Sequence, residues 1–112
     1  FDMVLAGWGP DYDDPLTFGD LFASWNLNNR GRYASDAMDG FISQVQNSVD
    51  PAMRMRLFAQ IQQLVYDDVV ILPMYERGVT YFVHPRLKGM KRRVIGPQVD
   101  FTNAYIEPLS VN

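Results

Sequence analysis

The chain has 112 residues, of which 47% are hydrophobic and 13% aromatic, which suits one small packed domain and argues against an intrinsically disordered chain. Its longest uncharged apolar run covers residues 69–75, far fewer than the roughly 20 residues that a transmembrane helix needs. Cysteine is absent, which excludes disulfides, thiolate metal sites and cysteine nucleophiles.

Charge is distributed unevenly along the chain, whose formal net charge is −3. The first 50 residues carry eight aspartates against Arg30 and Arg32, whereas residues 77–100 carry six basic residues against Asp100. The acidic first half argues against nucleic acid as a partner. The first residue is Phe1 rather than Met and no signal peptide is recognisable, so we expect a fragment of a longer protein.

The first predicted element is a short strand, roughly Asp2 to Ala6, because its apolar run without alternation is typical of a strand buried on both faces. Residues 9–35 are rich in Gly, Pro, Asn, Asp and Ser, which predicts an irregular loop. A loop of this length in a compact domain favours a functional role. Apolar side chains predict a short helical turn within it: Leu16, Phe18, Leu21, Phe22 and Trp25.

Two helices are predicted next. The first begins near Ser35 or Asp36, either of which can cap it. The second has Asp50 as its N-cap and Pro51 at its first position, and it ends near residue 67 or 68. Apolar stripes at helical spacing define their buried faces: Met38, Phe41, Ile42, Val45 and Val49 on the first, and Met53, Leu57, Ile61, Leu64 and Val65 on the second.

Three further strands are predicted at residues 69–72, 80–83 and 101–106, where β-branched and aromatic residues cluster. Residues 84–97 between them are basic and contain four Gly or Pro residues, so we expect an exposed loop that includes His84. The order of elements indicates the α/β class, with two main helices packed on a small mixed sheet that sequence outside this chain completes.

The segment from residue 7 to residue 15 has the composition of a ligand site. Two glycines flank Trp8 at the end of the first predicted strand, and Asp11, Asp13 and Asp14 follow. Glycines let another backbone approach, Trp8 offers an apolar face, and an acid can pair with a terminal ammonium. These residue types predict a site for an extended peptide that adds as a strand. They fit equally well a packed tryptophan beside acids that only form turns.

Two other functions stay open at this point. Asp11, Asp13 and Asp14 are compatible with the acid and base of a carboxylate-based, glycosidase-like hydrolase, or with a calcium loop in which Pro15 stands where further ligands are needed. The basic residues 86–93 are compatible with phosphate, an acidic membrane surface or a partner protein, although a solvated loop explains them more simply. We predict no catalytic, metal or cofactor residues.

The stretch Phe1 to Pro15 resembles part of the bacterial oligopeptide- and dipeptide-binding proteins of ABC importers, extracellular solute-binding protein family 5. Asn28 and Asn29 before Tyr33 resemble the Asn-rich loop of that family. The passage Asp50 to Asp68 is similar to its late helix, and residues 100–106 are similar to its final strand. The resemblance extends over essentially the whole chain.

The resemblance implies a fragment of the second lobe of a two-lobed, class II periplasmic-binding-protein-like fold that closes around its ligand. Residues 1–99 are then the C-terminal part of the second lobe, and residues 100–112 a terminal strand that returns to the first lobe. The implied function is that of a substrate-binding component of an ABC importer, not an enzyme. Its implied partner is a membrane permease, and the parent protein is implied to be periplasmic or a cell-surface lipoprotein.

Peptide-binding members of the family line their cleft with the corresponding segment, so the resemblance assigns ligand binding to Gly7, Trp8, Gly9 and Asp11. The backbone of the first three then bonds the peptide main chain, and Asp11 pairs with the peptide amino terminus. Pro10 lacks an N–H and removes one backbone donor. Relatives bind nickel, haem or oligosaccharides, so a non-peptide solute stays an alternative, as do self-association of the fragment and a role as a protein-interaction module.

Overall fold

The computed structural model describes residues 2–109. Phe1, where the stretch that carries the resemblance begins, and residues 110–112, where the terminal segment 100–112 ends, lie outside the described residues. The described helices are α1 (Leu16–Gly19), α2 (Asp36–Asn47) and α3 (Pro51–Asp67), with a 3-10 turn at Asp20–Phe22. The described strands are β1 (Leu87–Lys88), β2 (Lys91–Arg92), β3 (Val99–Asp100) and β4 (Tyr105–Ile106). A helical unit ends at Pro73, and a strand unit begins at Met74.

Capping side chains start both long helices, as the sequence predicts. The Ser35 hydroxyl accepts a hydrogen bond from the N–H of Met38 at 3.4 Å, and the Asp50 carboxylate accepts one from the N–H of Ala52 at 3.0 Å. Pro51 occupies the first position of α3, where an N–H has no intrahelical partner to lose. These caps satisfy amide groups that the helices cannot satisfy themselves, so they define where loop changes to helix.

The core of the helical unit lies between α2 and α3. Its buried apolar residues are Ala23, Met38, Ile42, Val45, Leu57 and Ile61, with Phe41, Leu64 and Val65 partly buried against them. The predicted stripes are therefore confirmed at most positions. The prediction that Val49 belongs to the buried face is wrong, because α2 ends at Asn47 and Val49 lies beyond that end, 96% exposed. Met53, on the first turn of α3, is also exposed.

Polar side chains hold the loop that precedes α2. The Asn29 amide donates to the carbonyls of Ala23 at 3.1 Å and Tyr33 at 2.7 Å, and its oxygen accepts from the N–H of Tyr33 at 3.0 Å. Asp39 of α2 accepts from the N–H and the hydroxyl of Ser24 at 2.9 and 2.6 Å. The predicted helical turn inside the loop is confirmed as α1 and the 3-10 turn. The loop is irregular, as predicted, but its conformation is specified by side-chain hydrogen bonds.

The strands predicted at residues 2–6, 69–72 and 80–83 are absent from the described structure. These stretches are irregular and mostly exposed, with Phe82 exposed to 98% and Val69 at a positive φ of 50°. An apolar run becomes a strand only when a neighbouring strand satisfies its N–H and C=O groups, and no strand described in residues 2–109 pairs with these three runs. Composition reports the apolar run but not whether a partner strand is present.

The strand unit contains two antiparallel pairs rather than the mixed sheet that the sequence predicts. β1 pairs with β4 so that Leu87 lies opposite Ile106, and β2 pairs with β3 so that Lys91 lies opposite Asp100. The strand predicted at residues 101–106 is confirmed only over β4. The predicted basic loop contains β1 and β2, because its Gly89, at φ 73°, lets the chain turn between them.

Ion pairs and stacking engage basic residues of the strand unit. The Asp100 carboxylate accepts from Arg93 at 2.6 Å and from the hydroxyl and N–H of Thr102 at 2.6 and 2.9 Å. These donors, the Thr102 hydroxyl first, hold the pKa of Asp100 well below its ordinary value. The Arg92 guanidinium lies 4.3 Å from the centre of the Tyr81 ring, close enough for a cation–π interaction.

Candidate functional site

The segment Gly7–Asp11, which contains the predicted ligand-binding residues, is an exposed stretch without regular secondary structure. Among residues 2–109, no group hydrogen-bonds to the main-chain N–H or C=O of Gly7, Trp8 or Gly9. A Cβ atom added at either glycine meets nothing within 4 Å. The two glycines therefore leave space for another backbone, and the N–H and C=O groups of all three residues are available to bond to it.

Trp8 is attached to the helical unit by its indole ring. The indole N–H donates to the carbonyl of Thr17 at 2.8 Å, and the residue is 37% exposed. It is not part of the buried core between α2 and α3. The indole donor is thus satisfied internally, which orients the ring and leaves part of its apolar surface free for stacking.

Asp11 presents a free carboxylate. Its main-chain N–H donates to the Thr17 hydroxyl at 3.0 Å, whereas no donor among the described residues reaches its side chain, which is exposed. Asp14 differs from it. One oxygen of Asp14 accepts from the N–H of Leu16 at 2.8 Å, and the other accepts from the guanidinium of Arg54. Asp14 therefore stabilises the turn that leads into α1, and Asp11 is the acid available to a ligand.

Thr17 and Arg54 support the site, and neither was predicted from the sequence. Thr17 is only 2% exposed and receives hydrogen bonds from both Trp8 and Asp11. A threonine between the apolar Leu16 and Phe18 is the signal that sequence reasoning could have used, since a buried hydroxyl needs a partner. Arg54 lies on the second turn of α3, where the sequence pattern placed it simply outside the apolar face.

Negative charge is concentrated around the Gly7–Asp11 segment. Burial raises the pKa of Asp20, and the negative charge of Asp11 raises it further. Burial also raises the pKa of the Tyr12 hydroxyl, with added contributions from the charges of Asp20, Asp14 and Asp11. The contributions of the carboxylates to these shifts reflect how close together the acids lie. Neighbouring carboxylates favour a cationic group of a ligand at this end of the loop.

A shallow cavity of about 470 Å³ lies elsewhere in the helical unit. It is lined by Asp14, Pro15, Ser48, Val49, Pro51, Arg54, Met55 and Phe58, at the turn between α2 and α3. It shares no residue with the Gly7–Asp11 segment. Within residues 2–109, no group of three or more His, Asp or Glu side chains is arranged to hold a metal ion.

Two curated proteins align with nearly all of this chain. The periplasmic oligopeptide-binding protein OppA of Haemophilus influenzae is 27% identical over 106 residues, which is 95% of this chain and 20% of that protein. The dipeptide-binding protein DppE of Bacillus subtilis is 31% identical over 96 residues, which is 86% of this chain and 18% of that protein. The chain belongs to the family of oligopeptide- and dipeptide-binding proteins. This agrees with the resemblance carried by the Gly-Trp-Gly segment.

A solved structure of this family has the same fold. The substrate-binding domain of the oligopeptide ABC transporter of Bacillus anthracis superposes with a TM-score of 0.83 at 27% identity, covering 92% of this chain and 20% of that one. The α/β class and the periplasmic-binding-protein-like fold predicted from the sequence are thereby confirmed. No protein-family model matches the chain.

The chain spans about a fifth of the length of the oligopeptide- and dipeptide-binding proteins that it matches. Both curated relatives are named as binding proteins, and the H. influenzae protein is named as periplasmic. No helix described in residues 2–109 has the length and apolarity needed to cross a bilayer.

Proposed function

We propose that this chain supplies one wall of the peptide-binding cleft in the substrate-binding component of an ABC importer. Gly7, Trp8 and Gly9 bind the main chain of an extended peptide, and Asp11 binds the peptide's amino terminus. The observation that carries the proposal is the carboxylate of Asp11, which has no partner among the described residues and lies beside a stretch of main chain that residues 2–109 also leave unpaired. Family membership supports it, because the relatives are named for the oligopeptides or dipeptides that they bind.

Recognition through the main chain suits an importer of varied peptides. Every peptide presents the same pattern of N–H and C=O groups, whatever its side chains. The glycines at positions 7 and 9 leave open space on the side where a Cβ would stand, so a second backbone can approach. Pro10 offers no N–H, so the main-chain contacts of the segment end before Asp11.

The amino terminus of a peptide provides the cation that the acidic loop attracts. A charge-assisted hydrogen bond between Asp11 and an ammonium group contributes about 1.5–3 kcal/mol, or roughly tenfold to a hundredfold in affinity. Asp13 is exposed but lies two residues further along, and Asp14 is engaged by Arg54. The relatives are named as binding proteins, so we assign the chain a binding role rather than that of a hydrolase.

The wider setting follows from the same family. We place residues 1–99 in the second lobe of the complete protein and residues 100–112 in a strand that returns to the first lobe. The complete protein then delivers peptide to a membrane permease from the periplasm or, as a lipoprotein, from the cell surface. Peptide rather than nickel, haem or sugar is the favoured solute, because the described residues offer open main chain and a free carboxylate.

Isothermal titration calorimetry on the complete gene product tests this function. Asp11→Asn should weaken binding of short unmodified peptides about tenfold to a hundredfold, and should affect their N-acetylated forms far less. Asp13→Asn is the matched control: it removes the same charge at a second exposed position to which the proposal gives no peptide contact, so it should leave both affinities unchanged. Equal losses for free and acetylated peptides would remove Asp11 from the amino-terminal role, and heat with a sugar but with no peptide would overturn the peptide assignment.

A further inference from the structure

We propose that Thr17 is the positioning residue of the binding segment, holding the Trp8 ring and the Asp11 backbone at a set distance from each other. The proposal rests on the peptide-binding function proposed above and extends it to a residue that does not touch the ligand. Thr17 accepts the indole N–H of Trp8 through its carbonyl at 2.8 Å and the N–H of Asp11 through its hydroxyl at 3.0 Å.

These two hydrogen bonds are the only ones that attach residues 2–11 to the rest of the described chain. No ion pair of the described residues involves this stretch either. The segment therefore has two fixed points, and both lie on the same residue. Any change in the placement of Thr17 moves the stacking surface and the carboxylate together, whereas loss of the hydroxyl releases the Asp11 backbone alone.

Thr17 itself is held firmly. It is buried within α1, and its N–H donates to the carbonyl of Asp14 at 3.0 Å. Asp14 is in turn held by Arg54 of α3. Two residues further on, a Cβ atom added at Gly19 would lie 3.7 Å from the Phe58 ring, so α1 lies directly against α3 at this point. Thr17 thus connects an exposed, irregular segment to the packed part of the helical unit.

The two contacts respond differently to substitution. The carbonyl contact with Trp8 survives any side-chain change at position 17. The contact with Asp11 needs the hydroxyl, which serine retains and valine lacks. The packing contact of the Thr17 methyl group shows the opposite pattern. Valine retains this methyl group, whereas serine lacks it and leaves a small void in a buried position. Thr17→Val and Thr17→Ser therefore separate a positioning role from a role in packing alone.

Hydrogen exchange of the Asp11 amide in the complete gene product, without any ligand, is the first readout. Losing the hydroxyl acceptor in Thr17→Val should accelerate this exchange about tenfold, the scale of one ordinary hydrogen bond, while Thr17→Ser should leave it close to wild type. Fluorescence of Trp8 should stay unchanged in both variants, because the carbonyl remains. An unchanged exchange rate in Thr17→Val overturns the proposal.

Calorimetry with unmodified and N-acetylated peptides is the second readout. Thr17→Val should weaken binding of unmodified peptides roughly tenfold and Thr17→Ser should not, because preorganisation of the Asp11 carboxylate is what the hydroxyl supplies. In an Asp11→Asn background, Thr17→Val should cause no further selective loss for unmodified peptides. A loss in Thr17→Ser equal to that in Thr17→Val assigns Thr17 to packing and overturns the proposal.

The two readouts also separate this proposal from the function on which it rests. If Asp11→Asn does not discriminate between free and acetylated peptides, the proposed peptide-terminus contact is wrong. The hydrogen-exchange comparison still decides, on its own, whether the Thr17 hydroxyl holds the Asp11 backbone. If Asp11→Asn discriminates as expected and Thr17→Val binds like the wild type, the function stands and Thr17 has no positioning role.

Discussion

The guanidinium of Arg54, on α3, donates a hydrogen bond to the carboxylate of Asp14, 40 residues earlier in the chain. The same guanidinium donates to the carbonyl of Val45 at 2.6 Å, near the end of α2, and lies 5.5 Å from the centre of the Phe58 ring. One side chain therefore joins the loop before α1 to both long helices. The turn that presents the binding segment is set by this long-range contact as much as by local sequence.

Replacing Arg54 should destabilise the protein. Arg54→Met removes the charge partner of Asp14, whose side chain is about one-third exposed, and takes this donor from the carbonyl of the buried Val45. We expect a loss of about 1–3 kcal/mol in the free energy of unfolding, below the range for fully buried pairs because solvent screens part of the interaction. Urea unfolding of the complete gene product measures it. Arg56→Met, at an exposed position on the same helix, is the control and should change stability little.

Two glycines of the strand unit should respond unequally to alanine. Both have positive φ, 73° at Gly89 and 78° at Gly96, so alanine at either position costs about 1–2 kcal/mol in backbone strain. A Cβ at Gly89 would in addition overlap the carbonyl oxygen of Asn103, whereas one at Gly96 meets nothing within 4 Å. We expect Gly89→Ala to abolish protection of the β1–β4 amides from hydrogen exchange, and Gly96→Ala only to reduce it.

Gly78→Ala is the reference for this pair, because Gly78 has no positive φ and open space around its Cα. It should leave exchange in the strand unit unchanged. Equal effects of alanine at positions 89 and 96 would contradict the close approach of Asn103 to Gly89.

Acid should weaken the strand unit through Asp100. The hydroxyl and N–H of Thr102 and the guanidinium of Arg93 lower the folded-state pKa of Asp100, so its contribution to stability is present above the unfolded-state pKa of about 3.9 and is lost as the pH falls towards the folded-state pKa. Amide exchange of β3 measured from neutral to acidic pH should show this loss. Asp100→Asn should be less protected at neutral pH and should lack this component of the acid response.

Asp20 should show the opposite pH dependence. Burial and the charge of Asp11 raise its folded-state pKa, so ionisation of Asp20 opposes folding and its penalty appears as the pH rises through that pKa. Asp20→Asn should therefore increase stability at neutral pH and have little effect at pH values where the carboxyl is protonated. NMR titration provides a second check, since the pKa of Asp20 should fall in the Asp11→Asn variant. No change there would contradict the proximity of the two carboxylates.

The sequence predicted the helical unit well because its signals are local. Ser35 and Asp50 cap their helices within three residues of themselves, and the 3.6-residue spacing of Met38, Ile42 and Val45 requires no knowledge of the partner helix. The prediction for Val49 was wrong for a local reason too, because α2 ends at Asn47, two residues before it. Family resemblance, carried by the order of motifs along the chain, indicated the fold as well.

The strands at residues 2–6, 69–72 and 80–83 could not be predicted in the same way. Strand formation depends on a partner that satisfies the main chain, and an apolar run carries no information about that partner. The short pairs that do form, β1–β4 and β2–β3, lie in a basic, Gly- and Pro-containing stretch where composition indicated a loop.

In the candidate site, too, some features follow from the sequence and others only from the tertiary structure. Sequence by itself determined which residue types stand at positions 7–11, and the family resemblance gave Asp11 preference over Asp13 and Asp14. Only the tertiary structure decided that Asp14 is engaged by Arg54, that no described residue pairs with the Asp11 carboxylate, and that Thr17 holds both Trp8 and the Asp11 backbone. The physical reason is that a hydrogen bond or ion pair depends on distance in space, which residue order within a loop does not specify.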